Sequence, residues 1–540
     1  MNTAKVSLIL NAHLPFVRHP EYPRFLEEDW LFESISESYL PLLRMCNRLA
    51  EDKVPYVFTI SLSPSLCTML KDPVLAERYT QYLERHIELG EKEVKRCAAE
   101  QPEFSEMATY YLEQARLNFH DFVEHYKSNI LDGFKDLEER GYLELATTAA
   151  THAFLPLYKE YPSATNAQVE IGVQSFLTTF GHLPKGFWLP ECGYYPGLED
   201  VLRSHGIGWF QTASQAMLLS SDKVENGVYR PVYCHNGVAA FPRDFKGTSL
   251  VWSNESGYPT DKVYREFYRD IGYDLPMEYI GPYIHEPQVR VFTGFKYWAV
   301  TGHTDQKVPY VRSLAQRRVV DHAKNFLYML KKRSLTLSNT LEETPFFTLA
   351  FDAELFGHWW FEGVWWLEEV IRLIAKSEDT VRLTTPSLFL EGDEKLQTVQ
   401  PAFSSWGHGG YSAVWLDGAN AWSYRHIHKA IERMEELAER FGDQVSLKQR
   451  FLNQAAREVL LAMASDWPFM MYNKSSSEYA HKRIIDHLSN FNVVYSNMCK
   501  NAVNTEWLVK AEKRNLIFAD IDYNIFNPKH GAKPSVKTKI

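Results

Sequence analysis

The sequence predicts an α/β protein whose functional groups gather at the mouth of a buried parallel sheet, and three observations carry that prediction. Short apolar runs of strand length alternate with amphipathic helical stretches, the pattern of strands covered on both faces. Several runs end on an ionisable residue, where the open end of such a sheet presents its chemistry: His13, His152, Glu191, Asp244 and Asp352. Beyond about residue 403 the pattern turns wholly helical. The expected organisation is a barrel over 1–402 that includes a helical insertion at 72–141, then a C-terminal helical domain over 403–529 closing the cleft. A basic, disordered tail over 530–540 completes it.

The elements follow in order. "KVSLIL" reads as a first strand, because it lacks the apolar length and cleavage site of a signal peptide. "VPYVFTIS" (54–61) is the second strand. Residues 72–141 are highly charged and helical in period. Strand-like runs then return at 142–157, 186–191, 206–212, 238–244, 248–253 and 345–356, several of them separated by helical stretches such as "NAQVEIGVQSFLTTFG". A Gly- and Trp-rich loop, "SSWGHGGYSAVWLDGANAW", precedes long amphipathic helices whose apolar stripes should pack on the barrel.

Composition excludes more than it proposes. The net charge of −10 argues against nucleic acid or an anionic membrane as partner, since both need a basic face. No apolar run is long enough to span a bilayer. The 6 cysteines form neither CxxC nor a disulfide framework, which fits a reducing cytoplasm. Aromatic residues make up 14%, with 14 Trp and 30 Tyr. That suits the binding of flat sugar faces, or an aromatic-rich core. Phosphate-binding loops and a GxSxG elbow are absent. A catalytic metal is not expected: no HxD follows the first strand, HExxH is missing, and "HDFVEH" is one residue too long for HxxEH. The strand-end histidines then read as hydrogen-bond donors to sugar hydroxyls or as structural groups.

Two segments carry the chemistry. "GFWLPECGYYPGLED" ends a strand on Glu191 and follows it with a Gly/Tyr/Pro turn; "FDAELFGHWWFEG" ends another on Asp352 beside Trp359 and Trp360. Each acid also has a plainer reading, Glu191 as a capping or surface group and Asp352 as the N-cap of the next helix. Two carboxylates at neighbouring strand mouths, walled by rings, suit glycoside chemistry, in which one stays ionised and the other holds a proton. Rings desolvate an acid and favour its neutral form, so Asp352 is the expected proton donor and Glu191 the nucleophile.

"NAHLPF", "ATTAATHAFLPL", "GFWLPECGYYPGLE", "YREFYRDIGYDLP" and "FDAELFGHWWFEG" together resemble successive blocks of glycoside hydrolase family 57, most closely its 1,4-α-glucan branching subgroup. The resemblance runs from His13 to the segment around Asp466. It implies a distorted, TIM-like (β/α)7 barrel and a retaining double displacement with Glu191 as nucleophile and Asp352 as acid/base. No metal or organic cofactor is implied. Substrate contacts fall on His13, His152, Arg265 (in preference to Arg269), Gly294, Trp406 and Asp466, with Trp359 and Trp360 offering ring faces. The implied substrate is an α-1,4-glucan such as amylose, amylopectin or glycogen, handled by a cytoplasmic protein expected to be a monomer. Competing activities are an α-amylase or 4-α-glucanotransferase of the same family, and a non-catalytic glycan-binding homologue. Two departures bear on that choice. Asn226 stands where a loop tyrosine is expected, and "MYNKSSSEYA" replaces a Thr/Gly-rich turn after "SDWPFM".

Overall fold

Seven parallel strands close into the predicted barrel. The computed structural model describes residues 3–253, 255–285, 289–392 and 395–529; the tail expected at 530–540 lies outside the described residues. In chain order the strands are β1 (Ala4–Ala12), β2 (Phe58–Leu62), β3 (Leu143–Thr148), β4 (Gly186–Trp188), β5 (Trp209–Thr212), β6 (Val232–Tyr233), β7 (Ala239–Pro242), β8 (Phe346–Asp352) and β9 (Val381–Leu383). Their spatial order is β6-β7-β5-β4-β3-β2-β1-β8, with β9 added beside the start of β1. Closure occurs just past β7, where Arg243 bridges Thr348 of β8 and the Asp244 amide donates to the Thr348 carbonyl at 2.8 Å. β6 alone pairs antiparallel.

The strands are buried on both sides, as near-continuous apolar runs require. Inside the barrel, Trp188, Trp209 and Phe241 interlock with Ala146, Ala239 and Ala350. Alternating large and small side chains fill the interior and leave no pore. The insertion forms helices Pro73–Glu100, Ser105–Phe119 and Leu131–Glu139. Asp72 caps the first of these by accepting from the Val74 and Leu75 amides, with Pro73 at the position a helix start tolerates. One expected strand is a helix: of 248–253, residues 248–252 lie in Phe245–Trp252, launched directly after β7, and Ser253 caps its end, so position overrides the strand-like composition of "TSLVW".

After residue 403 the helices Ala421–Arg440, Ser446–Ala462, Asp466–Asn473, Ser477–Cys499 and Thr505–Arg514 pack around Ser446–Ala462, whose second half is buried on every face. The end of that helix docks on the barrel. Thr151 Oγ1 donates to the Leu460 carbonyl at 2.6 Å, Ala153 bridges Ala464, and the Ser465 amide donates to the His152 carbonyl at 3.2 Å. Ser465 and Asp466 thereby reach the mouth of β3.

Candidate active site

Four of the five strand-end residues converge at that mouth. His13 and His152 stack with ring centroids 4.0 Å apart and planes 13° apart. His13 Nε2 meets Asp466 Oδ2 at 3.1 Å, its Nδ1 meets Ser63 Oγ at 2.8 Å, and its amide donates to Glu354 Oε1 at 3.2 Å. Asp244 does not join them: it is buried in a two-pronged ion pair with Arg333, both contacts at 2.7 Å, which ties helix Arg312–Ser338 to the barrel.

Glu191 leaves β4 through a strained turn. It has φ 60°, Cys192 has φ 52°, and at the neighbouring strand His152 has φ 55°. Non-glycine residues held left-handed cost about 1–3 kcal/mol each and persist where the surroundings over-determine them. Here the over-determination is visible. Glu191 Oε2 accepts from the Trp406 indole at 2.6 Å and Oε1 from Ser465 Oγ at 2.8 Å, while its carbonyl accepts from the Trp406 amide at 2.9 Å. Tyr194 and Ser404 pair as a two-bond antiparallel bridge. The Gly- and Trp-rich loop ahead of the C-terminal helices is thus laced to the strand mouth.

A chain of hydrogen bonds joins the two acids. Asn11 Nδ2 lies 3.4 Å from both Asp352 Oδ1 and His152 Nε2, and His152 Nδ1 lies 3.0 Å from Ser465 Oγ. With Ser465 donating to Glu191, His152 donates from Nδ1 and accepts at Nε2. That is a neutral imidazole, consistent with burial and His13 pushing its pKa well below the usual value. Arg243 supplies the buried positive charge; its guanidinium lies 5.2 Å from the Trp406 ring centre, and its Nε donates to the Ala350 carbonyl at 3.1 Å.

Burial raises both carboxyls: Asp352 to about 6, and Glu191, with Asp352 repelling it, to about 8. The expectation that rings act chiefly on Asp352 is therefore altered, because the indole nearest the pair touches Glu191. Hydrogen bonding opposes that order, since Glu191 faces two close donors and Asp352 only the long contact from Asn11. The ionisations belong to the pair, which holds a single proton between about pH 6 and 8. A bell-shaped kcat/KM with its maximum in that window is expected. Below it both acids are neutral and no nucleophile exists; above it both are charged and no acid remains. A profile flat across both limbs would remove the shared proton from the mechanism. In Trp406→Phe the carboxylate loses a charge-assisted donor worth about 1.5–3 kcal/mol. Kcat should fall about 10- to 100-fold, and the acidic limb should move to higher pH, because the ionised form of Glu191 has lost support.

The remaining predicted contacts divide. Trp359 is 45% exposed and stands 6.0 Å from Trp252, which stands 6.0 Å from Trp406, giving a row of rings along the cleft. Trp360 is 2% exposed and packs on Tyr264 and Trp366; it is core, contrary to its reading as a sugar platform. The tight turn explains the split, since Phe356 and Trp360 bridge one another and aim the second indole inward. Trp360→Ala should accordingly cost about 3–5 kcal/mol of stability, and Trp359→Ala should keep the melting temperature and raise KM. Arg265 and Gly294 lie elsewhere, on a cavity of about 140 Å³ behind the 353–363 loop that Tyr110, Tyr111 and Phe361 also line. Gly357 (φ 106°) lets that loop approach closely, for a Cβ there would sit 1.8 Å from the Glu37 carbonyl oxygen; His358 Nδ1 then pairs with Glu37 at 2.5 Å.

Five groups at the mouth were not singled out from the sequence as site residues: Asn11, Ser465, Arg243, Glu354 and Tyr39. Asn11 shares the strand face of His13 two residues on, and Ser465 adjoins Asp466, so both carried a readable signal. Glu354 is buried, raised to about 8, and hydrogen-bonded by the Tyr39 hydroxyl. Among the described residues, no group of three or more His, Cys, Asp or Glu side chains is placed to hold a metal ion, and no helix is long and apolar enough to cross a membrane.

Comparison with known proteins follows the same lines. Residues 7–402 match the family model for glycosyl hydrolase family 57, and 426–526 match that for the C-terminal part of 1,4-alpha-glucan branching enzymes. A 1,4-alpha-glucan branching enzyme of Thermococcus kodakarensis is 31% identical over 519 residues, covering 90% of this chain and 72% of the relative. Among solved structures, the alpha-amylase AmyC from Thermotoga maritima superposes with a TM-score of 0.91 at 40% identity, covering 97% of this chain and 99% of that one. A branching enzyme from Pyrococcus horikoshii superposes with a TM-score of 0.87 at 30% identity, covering 99% and 98%.

Proposed function

The chain belongs to glycosyl hydrolase family 57, and from that premise we propose that it is a retaining 1,4-α-glucan branching enzyme. The observation that carries the proposal is the meeting of Glu191 and Asp352 at one barrel mouth with Ser465 and Asp466, delivered by helices that match the branching-enzyme C-terminal model. In this reading 1–402 is the catalytic barrel and 403–529 the domain that completes its cleft. The protein works as a cytoplasmic monomer in storage-glucan synthesis, in keeping with its buried, unpaired cysteines at 46, 67, 97, 192 and 234.

Asp352 protonates the glycosidic oxygen of an α-1,4 link as Glu191 attacks the anomeric carbon, and the cut chain is held as a glucosyl ester of Glu191. Asp352 then takes the proton of a glucan 6-hydroxyl, whose oxygen displaces Glu191 and forms the α-1,6 branch. The Trp406 indole and Ser465 hydroxyl hold the attacking oxygens in place and disperse the charge that returns when the ester breaks. His13, oriented by Asp466 and Ser63, and His152 face the sugar hydroxyls, and the Trp406–Trp252–Trp359 row offers ring faces to successive glucose units. Arg265 and Gly294, on their separate cavity, contact a remote stretch of glucan and not the reacting ring.

Hydrolysis is the second reading, and a specific observation favours it. The loop after β5 contains no tyrosine over 213–228 and is pinned flat, Glu225 and Asp222 bonding Gln397 and Gln400. Asn226 at its tip accepts from the Tyr229 amide through its main-chain carbonyl. Without a tyrosine at that loop tip to exclude it, water competes with the 6-hydroxyl for the glucosyl ester. Incubation with amylose decides between the two: α-1,6 links formed in excess of new reducing ends support branching, and reducing ends without branches make the protein an amylase.

A further inference from the structure

Where the loop after β1 meets the last helices, a cavity of about 110 Å³ holds charge that catalysis leaves unused. His19 and Tyr22 line one side; Arg483, His487 and Arg514 line the other. Arg483 is 2% exposed, its NH2 nitrogen donates only to the Phe16 carbonyl at 3.3 Å, and its Nε has no partner. Among the described residues no carboxylate lies within ion-pair distance of it. Burying an unpaired guanidinium is costly unless something outside the chain compensates it.

The groups around it complete a pattern. His487 Nδ1 donates to Glu458 at 2.7 Å, which leaves its buried Nε2 an acceptor without a donor. Asn515 Nδ2 donates to the other Glu458 oxygen at 2.8 Å, which leaves its Oδ1 in the same condition. The acids at the rim are already engaged, Glu21 with Arg514 at 3.1 Å and Asp486 with Lys482 at 2.6 Å. Burial, and after it the charges of Arg483, Arg514 and Lys482, push the His19 imidazole down to about 2.

One small ligand answers both needs. A protonated phosphate offers oxygens to the Arg483 donor and a P–OH to the unpartnered acceptors on His487 and Asn515; sulfate, chloride and carboxylates offer acceptors alone. We propose that this cavity binds a phosphate group, free or as the monoester of a small sugar, with Arg483 as the anchoring cation. The site touches both segments that carry the His13–Asp466 pair, since Phe16 lies three residues past His13 and the Arg483 guanidinium stands 5.8 Å from the ring centre of Trp467, next to Asp466. Occupancy therefore ties the first loop to the last helices just outside the catalytic mouth.

Titration calorimetry on the full chain at constant ionic strength tests this with inorganic phosphate, glucose 1-phosphate and sulfate. Saturable 1:1 binding of phosphate, at least about tenfold tighter than sulfate, is expected, with a melting temperature that rises with the logarithm of phosphate concentration. Tighter binding of glucose 1-phosphate assigns the site to a sugar monoester, and equal or weaker binding assigns it to the free ion. Arg483→Lys keeps the charge and loses the fork, so affinity should fall about tenfold. Arg514→Gln, at the exposed rim and outside the core, should weaken binding a few-fold and leave turnover of amylose unchanged. Phosphate binding no tighter than sulfate, or affinity untouched in both variants, would overturn the proposal.

Discussion

Glu191→Gln should lose about 10⁴-fold or more in kcat on amylose and yet melt at or above the wild-type temperature. The loss follows from chemistry: an amide cannot form the glucosyl ester, and no other acid at the mouth faces the Trp406 and Ser465 donors. The gain follows from linkage. Burial raises the Glu191 carboxyl from 4.5 to about 8, so between those values the folded chain binds a proton that the unfolded chain has released. Stability therefore falls as pH rises through that window, and the glutamine variant escapes the fall. The amide also fits the contacts, its oxygen accepting from the indole and its NH2 donating to Ser465 Oγ, whose hydroxyl can turn. The difference in melting temperature should be near zero around pH 5 and favour the variant progressively towards pH 8. A variant that is inactive because it is unfolded would instead melt well below the wild type across the whole pH range, or show no transition, and could not support the assignment.

That conflict between stability and activity was readable at one level and hidden at another. The rule that parallel strands present chemistry at their C-terminal ends located His13, His152, Glu191 and Asp352 from sequence, and the barrel brings these four together. It failed for Asp244, because its ion-pair partner Arg333 lies 89 residues away on a helix whose docking no local pattern encodes. It could not decide between Trp359 and Trp360, since adjacent residues in a tight turn have no period to separate an outward ring from an inward one. Among the described residues of 253–311, the stretch that carries Arg265 and Gly294 likewise has only short helical turns to propagate a facing, and both residues line another cavity. Most consequential was Trp406, whose indole reaches Glu191 across 215 residues. From sequence the rings sat beside Asp352, so the sharing of one proton by both acids became visible only with the loop in place.

The sharing makes the division of roles a matter for direct test, and Asp352→Ala supplies one. Leaving-group oxygens of an α-1,4 link need a proton, so turnover of amylose should fall about 10³- to 10⁵-fold. Fluoride needs none. With an α-maltooligosyl fluoride the first step should proceed nearly as in the wild type, and the glucosyl ester should then accumulate because no base activates the acceptor. Azide is already a nucleophile and fits the space the carboxyl vacated; added to this variant it should restore turnover and yield the α-glycosyl azide, the product of two inversions. Glu191→Ala under the same conditions has no ester to form. Azide in the place of that carboxylate should attack directly and give the β-azide, the product of one inversion. The stereochemistry thus reports which acid acts as nucleophile independently of where the proton rests in the free pair. An α-azide from Glu191→Ala together with a β-azide from Asp352→Ala would exchange the two roles, and the burial and Asp352 repulsion that raise the Glu191 carboxyl would then mark Glu191 as the acid.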